Sequence, residues 1–139
     1  MNEKIKIGAS VLATIVSFIC GLDIALKSLV IVLAIDYITG VMSAYYNKKL
    51  DSKIGLKGII KKFAYLLVVT LAFILDDLTG KHGLIKDVVI YFFIANDGLS
   101  ILENVAKMNV PIPKRLKDAL LQLKESDLND NNKWNKINK

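Results

Sequence analysis

The amino-acid sequence predicts an all-α integral membrane protein with about four transmembrane helices, a C-terminal amphipathic helix and a disordered tail. Hydrophobic residues make up 53% of the 139 residues, and they are concentrated in four long runs before residue 105. Lysines cluster between and beyond these runs, as is typical of loops that flank membrane spans. We therefore expect a transmembrane domain at 1–104 with spans at 7–26, 28–46, 63–78 and 84–102, a linker and amphipathic helix at 105–125, and a disordered polar tail at 126–139.

The first run begins after Lys4 and Lys6, an arrangement that also resembles a signal peptide. A retained helix is favoured, because a second apolar run follows almost at once and no convincing small-residue cleavage site precedes it. A three-span protein, with the first segment cleaved or interfacial, is the alternative. Small residues recur every four positions in this run, which predicts a stripe for close helix packing. The stripe consists of Ala9, Ala13, Ser17 and Gly21.

The second run carries a charged residue, Asp36, near its middle. A charge inside a membrane span is energetically costly and is usually tied to function. Thr39 and Ser43 follow at i+3 and i+7, so they share the helix face of Asp36. Gly40 and Ala44 lie beside that face as a pair of small residues. We expect this face to contact another helix.

A basic loop is predicted between the second and third runs, at residues 47–62. It contains six lysines against a single aspartate, so the positive-inside rule places it in the cytoplasm, together with both termini. Apolar residues are interleaved with the lysines, so the segment is either a short interfacial helix on anionic lipid or a solvated loop. The basic residues are Lys48, Lys49, Lys53, Lys57, Lys61 and Lys62.

The third and fourth runs also contain acidic residues, among them Asp76 and Asp77 at the end of the third. These carboxylates could be buried in a monomeric bundle, protonated or paired with Lys27 or Lys86. They could also face a subunit interface or an aqueous lumen. Assembly is favoured, because a small bundle has little interior room for so many charges. The fourth run contributes Asn96, Asp97, Ser100, Glu103 and Asn104, of which all but Asp97 share one helical face.

The C-terminal quarter begins with two prolines, Pro111 and Pro113. Pro113 can start a helix, and the leucines at 116, 120 and 123 form an apolar stripe with Ala119. Basic residues accompany this stripe, so we expect a surface-lying or partner-binding amphipathic helix.

Enzyme chemistry is not expected. The single histidine, His82, lies in a predicted turn, and the single cysteine, Cys20, lies in an apolar run, so neither has partners for a metal site. No phosphate-binding loop, nucleophile elbow or zinc-protease motif is present in the sequence. We predict no catalytic residue, no cofactor, no metal and no nucleic-acid partner.

Three stretches together resemble a known family. They are the run D-Y-I-T-G from Asp36 to Gly40, the lysine-rich stretch SKIGLKGIIKK, and the run NDGLSILENVAKMNVPIPKRLKDAL from Asn96 to Leu120. The combination resembles the toxin-secretion/phage-lysis holins over roughly residues 28–124. The D-x-x-T-G element alone is weakly specific, whereas its combination with N-D-x-x-S-x-x-E-N and P-x-P-K-R-L is strong.

The resemblance implies a small bacterial cytoplasmic-membrane protein that associates with itself and opens a pore or lesion. The partners implied are other copies of the chain, an anionic bilayer, and an endolysin or a large toxin as passing cargo. The matching residues, Asp36, Thr39, Gly40, Asn96, Asp97, Ser100, Glu103 and Asn104, become candidates for an oligomer interface or lumen, with Ser43 added from its helix face. The alternative is an antiholin-like or scaffold protein that assembles without a pore; a small ion channel is a weaker possibility.

Overall fold

A computed structural model describes residues 2–124 of the chain. Four helices follow one another in this part: α1 (Glu3–Cys20), α2 (Ile24–Tyr46), α3 (Ser52–Thr79) and α4 (Leu84–Ala106). Residues 114–124 form a further helical segment, the C-terminal helix. The described part contains no strand, so the all-α prediction is confirmed. The predicted disordered tail lies outside the described residues.

Three helices, α2, α3 and α4, are long and apolar enough to cross a membrane. The first predicted span, at 7–26, does not form one helix, because α1 ends at Cys20 and a new helix begins at Ile24. Asp23 causes this break: it has extended backbone dihedrals, and its carboxylate accepts a hydrogen bond from the Leu26 backbone N–H at 3.3 Å. Such capping by aspartate satisfies an N–H group that has no partner inside the helix. Because α1 is not among these three helices, the choice between three and four spans stays a prediction.

The third span is longer than the sequence predicts, and it includes most of the expected basic loop. Asp51 caps α3 by accepting from the Lys53 N–H at 2.9 Å, so the chain is helical from Ser52 onwards. Only residues 47–51 connect α2 to α3. With 28 residues, α3 is about 42 Å long, more than the roughly 30 Å of a bilayer core. The lysine-rich first turns of α3 are thus the start of a long helix, not a separate loop.

The turn between α3 and α4 is formed by two glycines in the left-handed region. Gly80 has φ 65° and ends α3, and Gly83 has φ 89° and precedes α4. Gly83 has no side chain to cap α4. Asp76, on α3, supplies the cap: its Oδ1 accepts from the Ile85 N–H at 2.8 Å and its Oδ2 from the Lys86 N–H at 2.7 Å. We call this arrangement the Asp76 cap; it fixes the α3–α4 hairpin.

The hydrophobic core lies where α4 packs against both α2 and α3, whereas α2 and α3 contact each other little. Leu29 and Leu33 come from α2, and Ile90 and Phe93 come from α4. From α3, Val69 is buried and the Tyr65 ring stacks on Phe93 with centroids 4.1 Å apart. α4 is therefore the central helix of the bundle.

In contrast, α1 makes little contact with the rest of the chain. Its large apolar side chains are exposed, for example Leu12 at 63% and Phe18 at 71%. The predicted packing stripe, Ala9, Ala13, Ser17 and Gly21, is also exposed, so no other segment within residues 2–124 covers it. Its role in packing stays a prediction.

Candidate functional site

Lys62 of α3 joins three helices through two aspartates. Its Nζ donates to Asp36 Oδ2 of α2 at 2.6 Å and to Asp97 Oδ2 of α4 at 3.0 Å. The three side chains are largely buried, with exposed fractions of 17% for Lys62, 13% for Asp36 and 4% for Asp97. A lysine between two carboxylates thus lies in the interior of the bundle.

Asn104 of α4 completes this arrangement from the other side of Asp36. Its Nδ2 donates to Asp36 Oδ1 and to Thr39 Oγ1, both at 3.2 Å. Gly40 lies directly beside this amide, since a Cβ at that position would be 3.6 Å from Asn104 Nδ2, an ordinary van der Waals distance. We call Asp36, Lys62, Asp97 and Asn104 the Lys62 cluster.

The aromatic side of the cluster is formed by Tyr65, one turn after Lys62. Asn96 Nδ2 donates to the Tyr65 hydroxyl at 3.0 Å. The ammonium of Lys61 lies 5.8 Å from the centre of the same ring. The hydrogen bond is therefore linked to the core through the stack of Tyr65 on Phe93.

A cavity of about 350 Å³ opens beside the cluster, between α2, the 47–51 connection, α3 and α4. On one side of the cavity, α2 and α3 approach each other at Tyr37. The Tyr37 hydroxyl lies 3.5 Å from the position of a Cβ on Gly55, and its ring lies 3.9 Å from the position of a Cβ on Gly58. The polar lining includes three lysines and three aspartates, so the formal charges cancel: Lys49, Lys61, Lys62, Asp36, Asp51 and Asp97.

The electrostatics of the Lys62 cluster depend on its hydrogen bonds. Removing charges from water costs several kcal/mol per ion, and the cost is offset only when partners are close and well placed. Lys62 meets this condition with two carboxylates, and Asp36 with an ammonium and an amide. Fully ionised, Asp36, Lys62 and Asp97 carry one net negative charge. Such a group inside a membrane bundle is by default a hypothesis for a functional site.

A second polar layer lies at the opposite end of the bundle. Lys86 Nζ donates to Asp23 Oδ2 at 2.5 Å, which links the start of α2 to the start of α4 near the Asp76 cap. Asp23 is more accessible than the residues of the Lys62 cluster, with 45% of its side chain exposed. The hydrogen bond from Lys86 holds the pKa of the Asp23 carboxyl below its usual value of 3.8. Both layers fasten α4 to its neighbours.

The structure brings together most of the residues that the sequence singled out. Asp36, Thr39, Asn96, Asp97 and Asn104 take part in the bonds described above, and Gly40 and Ser100 line the cavity. Ser43 is buried, with 5% exposed, but does not line the cavity. Glu103 is exposed, because it lies about 120° around α4 from Asp97.

Lys62 is the member of the cluster that sequence reasoning misplaced. Its assignment to a membrane-surface loop is wrong, because it lies inside α3 and points between α2 and α4. The burial pattern of α3 shows its position. Residues spaced alternately three and four apart along this helix are all buried or half-buried, and Lys62 is one of them. These positions are Gly55, Gly58, Lys62, Tyr65, Val69, Ala72 and Asp76, the inward face of α3.

The expectation that one bundle has no room for its carboxylates is also wrong. Asp36 and Asp97 are paired with Lys62, and Asp76 is bound by backbone N–H groups, all within one chain. Lys86 does form an ion pair, but with Asp23. Buried charge alone therefore gives no reason for assembly.

The fold and the site define a small helical membrane protein with an ion-pair cluster between its spans. Residues 13–125 match the model of the Bacteriophage holin family. This match covers most of the sequence, so the chain belongs to the Bacteriophage holin family. Such membership supports a non-enzymatic protein of the cytoplasmic membrane.

Relatives in bacteria and a phage are similar over much of the sequence. An uncharacterised 14.9 kDa protein of Clostridium perfringens is 44% identical over 121 residues, which are 86% of this chain and 92% of that protein. An uncharacterised protein of Listeria innocua is 38% identical over 87% of each chain. A probable holin of Bacillus phage phi105 is 40% identical over 86 residues, 62% of this chain and 64% of the phage protein. No solved structure matches this chain significantly.

Proposed function

We propose that this protein is a holin that associates with itself in the bacterial cytoplasmic membrane and opens a pore or lesion. The lesion lets an endolysin reach the cell wall, or releases a large protein toxin. The observation that carries the proposal is the family match over residues 13–125, with a phage relative named a probable holin. Three helices of spanning length and a large exposed apolar surface support it.

The orientation we propose places the lysine-rich end of the bundle in the cytoplasm. Asn47 Nδ2 donates to the Lys107 carbonyl at 3.3 Å, so the α2–α3 connection and the end of α4 lie at the same end. This end carries the lysines of the 47–51 connection and of the first turns of α3, together with those of the C-terminal helix. The positive-inside rule and attraction to anionic lipid favour the cytoplasmic leaflet for such a surface.

The N-terminus is proposed to be cytoplasmic as well, because Lys4 and Lys6 precede the apolar part of α1. This position makes α1 a fourth crossing. A cysteine introduced at residue 2 in a Cys20→Ser background is then protected from a membrane-impermeant maleimide in intact protoplasts and labelled after lysis. Labelling of intact protoplasts would give three crossings.

The central test is release of an endolysin. The protein is expressed with a cytoplasmic endolysin that has no export signal, and lysis and endolysin activity in the medium are followed over time. We expect abrupt lysis that depends on both proteins. Asp36→Leu is expected to change the time of lysis, with Ile35→Leu as a control at the neighbouring lipid-exposed position. Retention of the endolysin while the protein accumulates in the membrane would overturn the proposal.

One observation favours a second candidate, an antiholin-like or scaffold protein without a pore. The buried carboxylates of the described residues are all paired within the chain. Purified protein in liposomes separates the two functions. Release of an entrapped protein-sized dextran supports the holin; stable assembly without release supports the scaffold.

A further inference from the structure

The cavity beside the Lys62 cluster is lined by polar groups that no residue in 2–124 satisfies. The Asp97 side chain is only 4% exposed, and its Oδ2 accepts from Lys62, but its Oδ1 accepts no hydrogen bond from these residues. The hydroxyls of Ser100 and Tyr37 line the same cavity, and they too have no hydrogen-bond partner within this part of the chain. Buried polar groups are nearly always bonded to protein or to ordered water, so these three groups call for water or a ligand.

The size of the cavity allows water to fill it. Its volume of about 350 Å³ is far larger than the roughly 30 Å³ that one water molecule occupies in the liquid. The lining also offers the several polar partners that a buried water needs, since carboxylate, hydroxyl, amide and ammonium groups all contribute to it.

The cavity leads from one end of the bundle toward the middle of the membrane. Its outer part is lined by exposed residues of the 47–51 connection, and its inner part by Asp97. Asp97 lies nine residues before the end of α4, which is about 14 Å along the helix and nearly half of a bilayer core of roughly 30 Å. Beyond Asp97 the bundle is closed by the apolar core of Leu33, Val69 and Phe93.

The inner and outer parts of the cavity carry opposite net charges. The inner part has one lysine and two aspartates, which give a net charge of −1 when all are ionised: Asp36, Lys62 and Asp97. The outer part has two lysines and one aspartate, which give +1: Lys49, Asp51 and Lys61. The outer residues are exposed, so water and salt screen them, whereas the buried inner charges are screened much less. The inner part therefore attracts cations.

We infer that this cavity is a water-filled vestibule within each chain, through which small monovalent cations reach Asp97 from the lysine-rich end of the bundle. The inference goes beyond the proposed function, since it requires only that α2, α3 and α4 span a bilayer. The vestibule shortens the apolar part of the path across the membrane to the distance from Lys62 to Asp76, about 21 Å along α3.

The reaction of single cysteines with charged, membrane-impermeant methanethiosulfonate reagents tests the vestibule. Ser100→Cys is made in a Cys20→Ser background of the full chain, and isolated membranes that are open on both sides are treated. We expect Ser100→Cys to react, although it lies six residues inside the end of α4. Ala44→Cys, a second position that lines the cavity, should react as well. Leu50→Cys, in the exposed 47–51 connection, supplies the reference rate.

The matched control is Ile38→Cys, which lies at a similar depth, eight residues before the end of α2. Ile38 is 55% exposed on the outer face of the bundle, where lipid covers it, so it should stay unlabelled. Labelling of Ile38→Cys at the rate of Ser100→Cys would mean that water reaches the outer face as well, and it would overturn the inference. The inference is equally wrong if Leu50→Cys reacts but neither Ser100→Cys nor Ala44→Cys does.

The sign of the reagent tests the preference for cations. After correction for reaction with a free thiol, the trimethylammonium reagent should modify Ser100→Cys about tenfold faster than the sulfonate reagent, because one net charge a few ångströms away acts oppositely on the two. Asp97→Asn neutralises the inner part and should bring the ratio close to one. Asp87→Asn, at the opposite end of α4, is the control and should leave the ratio unchanged. Equal rates for the two reagents in the Asp97 chain would refute the cation preference.

Discussion

The Asp76 cap and the Lys62 cluster both satisfy buried carboxylates, but they do so in different ways. At the Asp76 cap, one carboxylate binds two backbone N–H groups of the next helix, nine and ten residues along the chain. In the Lys62 cluster, side chains from three helices meet, and the partners are separated by 26 and 35 residues. The Asp76 cap is a local contact within the α3–α4 hairpin, whereas the Lys62 cluster depends on the packing of all three helices.

The Asp76 cap and the Lys62 cluster also differ in the space around them. The Asp76 carboxylate is enclosed, with 3% of the residue exposed, whereas the Lys62 cluster borders a cavity of about 350 Å³. Four substitutions test this contrast, and they are ordered by the size of their expected effects.

Lys62→Met should have the largest effect, because it leaves Asp36 and Asp97 buried without a cationic partner. Breaking a buried ion pair in this way costs about 3–5 kcal/mol. The free energy of unfolding in detergent micelles measures it. Lys61→Met removes the same charge at an exposed neighbouring position and is expected to change stability little. Equal effects of the two substitutions would contradict the central role of Lys62.

A second substitution in the Lys62→Met chain tests whether the loss of stability comes from the unpaired carboxylates. Asp97→Asn removes one of the two carboxylates that lost their partner, so we expect it to recover part of the lost stability. No recovery would show that the loss comes from packing of the lysine stem.

Asp76→Ala should have the next largest effect. It leaves the N–H groups of Ile85 and Lys86 without their partner, and an unsatisfied buried polar group costs about 1–3 kcal/mol. Thermal unfolding of the detergent-solubilised protein measures the loss. Asp77→Ala, at the exposed adjacent position, is the matched control. Similar melting temperatures for the two variants would show that the cap contributes little.

Tyr65→Phe tests the aromatic side of the Lys62 cluster. The ring keeps its stack on Phe93, but Asn96 loses its acceptor, so we expect a loss of about 0.5–1.5 kcal/mol. Tyr91→Phe, with 46% of Tyr91 exposed, should be nearly neutral. Chemical unfolding of both variants side by side provides the comparison.

Asp23→Asn should have the smallest effect, and that effect should depend on pH. Asparagine keeps the capping oxygen for α2 but loses the ion pair with Lys86. Because Asp23 is 45% exposed, solvent screening limits the pair to about 0.2–1 kcal/mol.

The sign of this pH dependence follows from the lowered pKa of Asp23. The folded protein binds the proton less readily than the unfolded chain, so the stabilisation is present above the usual value of 3.8 and disappears as the pH falls through the folded pKa. The difference in stability between the unsubstituted protein and Asp23→Asn should therefore vanish in acid. A difference that persists there would show that the asparagine acts through the cap instead.

The sequence alone predicted the all-α membrane fold, because long apolar runs and clustered lysines directly reflect the solubility of a helix in a bilayer. It also identified Asp36, Asp97 and Asn104, since polar residues inside apolar runs are conspicuous. Lys62 was assigned to the basic loop for the opposite reason: it follows other lysines in the chain, so the composition of the segment resembles a loop. The extent of α3 depended on capping by Asp51, which a hydropathy pattern does not register.

Only the tertiary structure decided which polar groups are partners. Hydropathy and helical periodicity give the face on which a residue lies, but they do not give the rotation and depth of one helix relative to another. These are set by packing of α4 against α2 and α3, which places Lys62 between two aspartates far away in sequence. The sequence thus determined that charges lie within the membrane domain, and the packing of three helices determined that they compensate one another there.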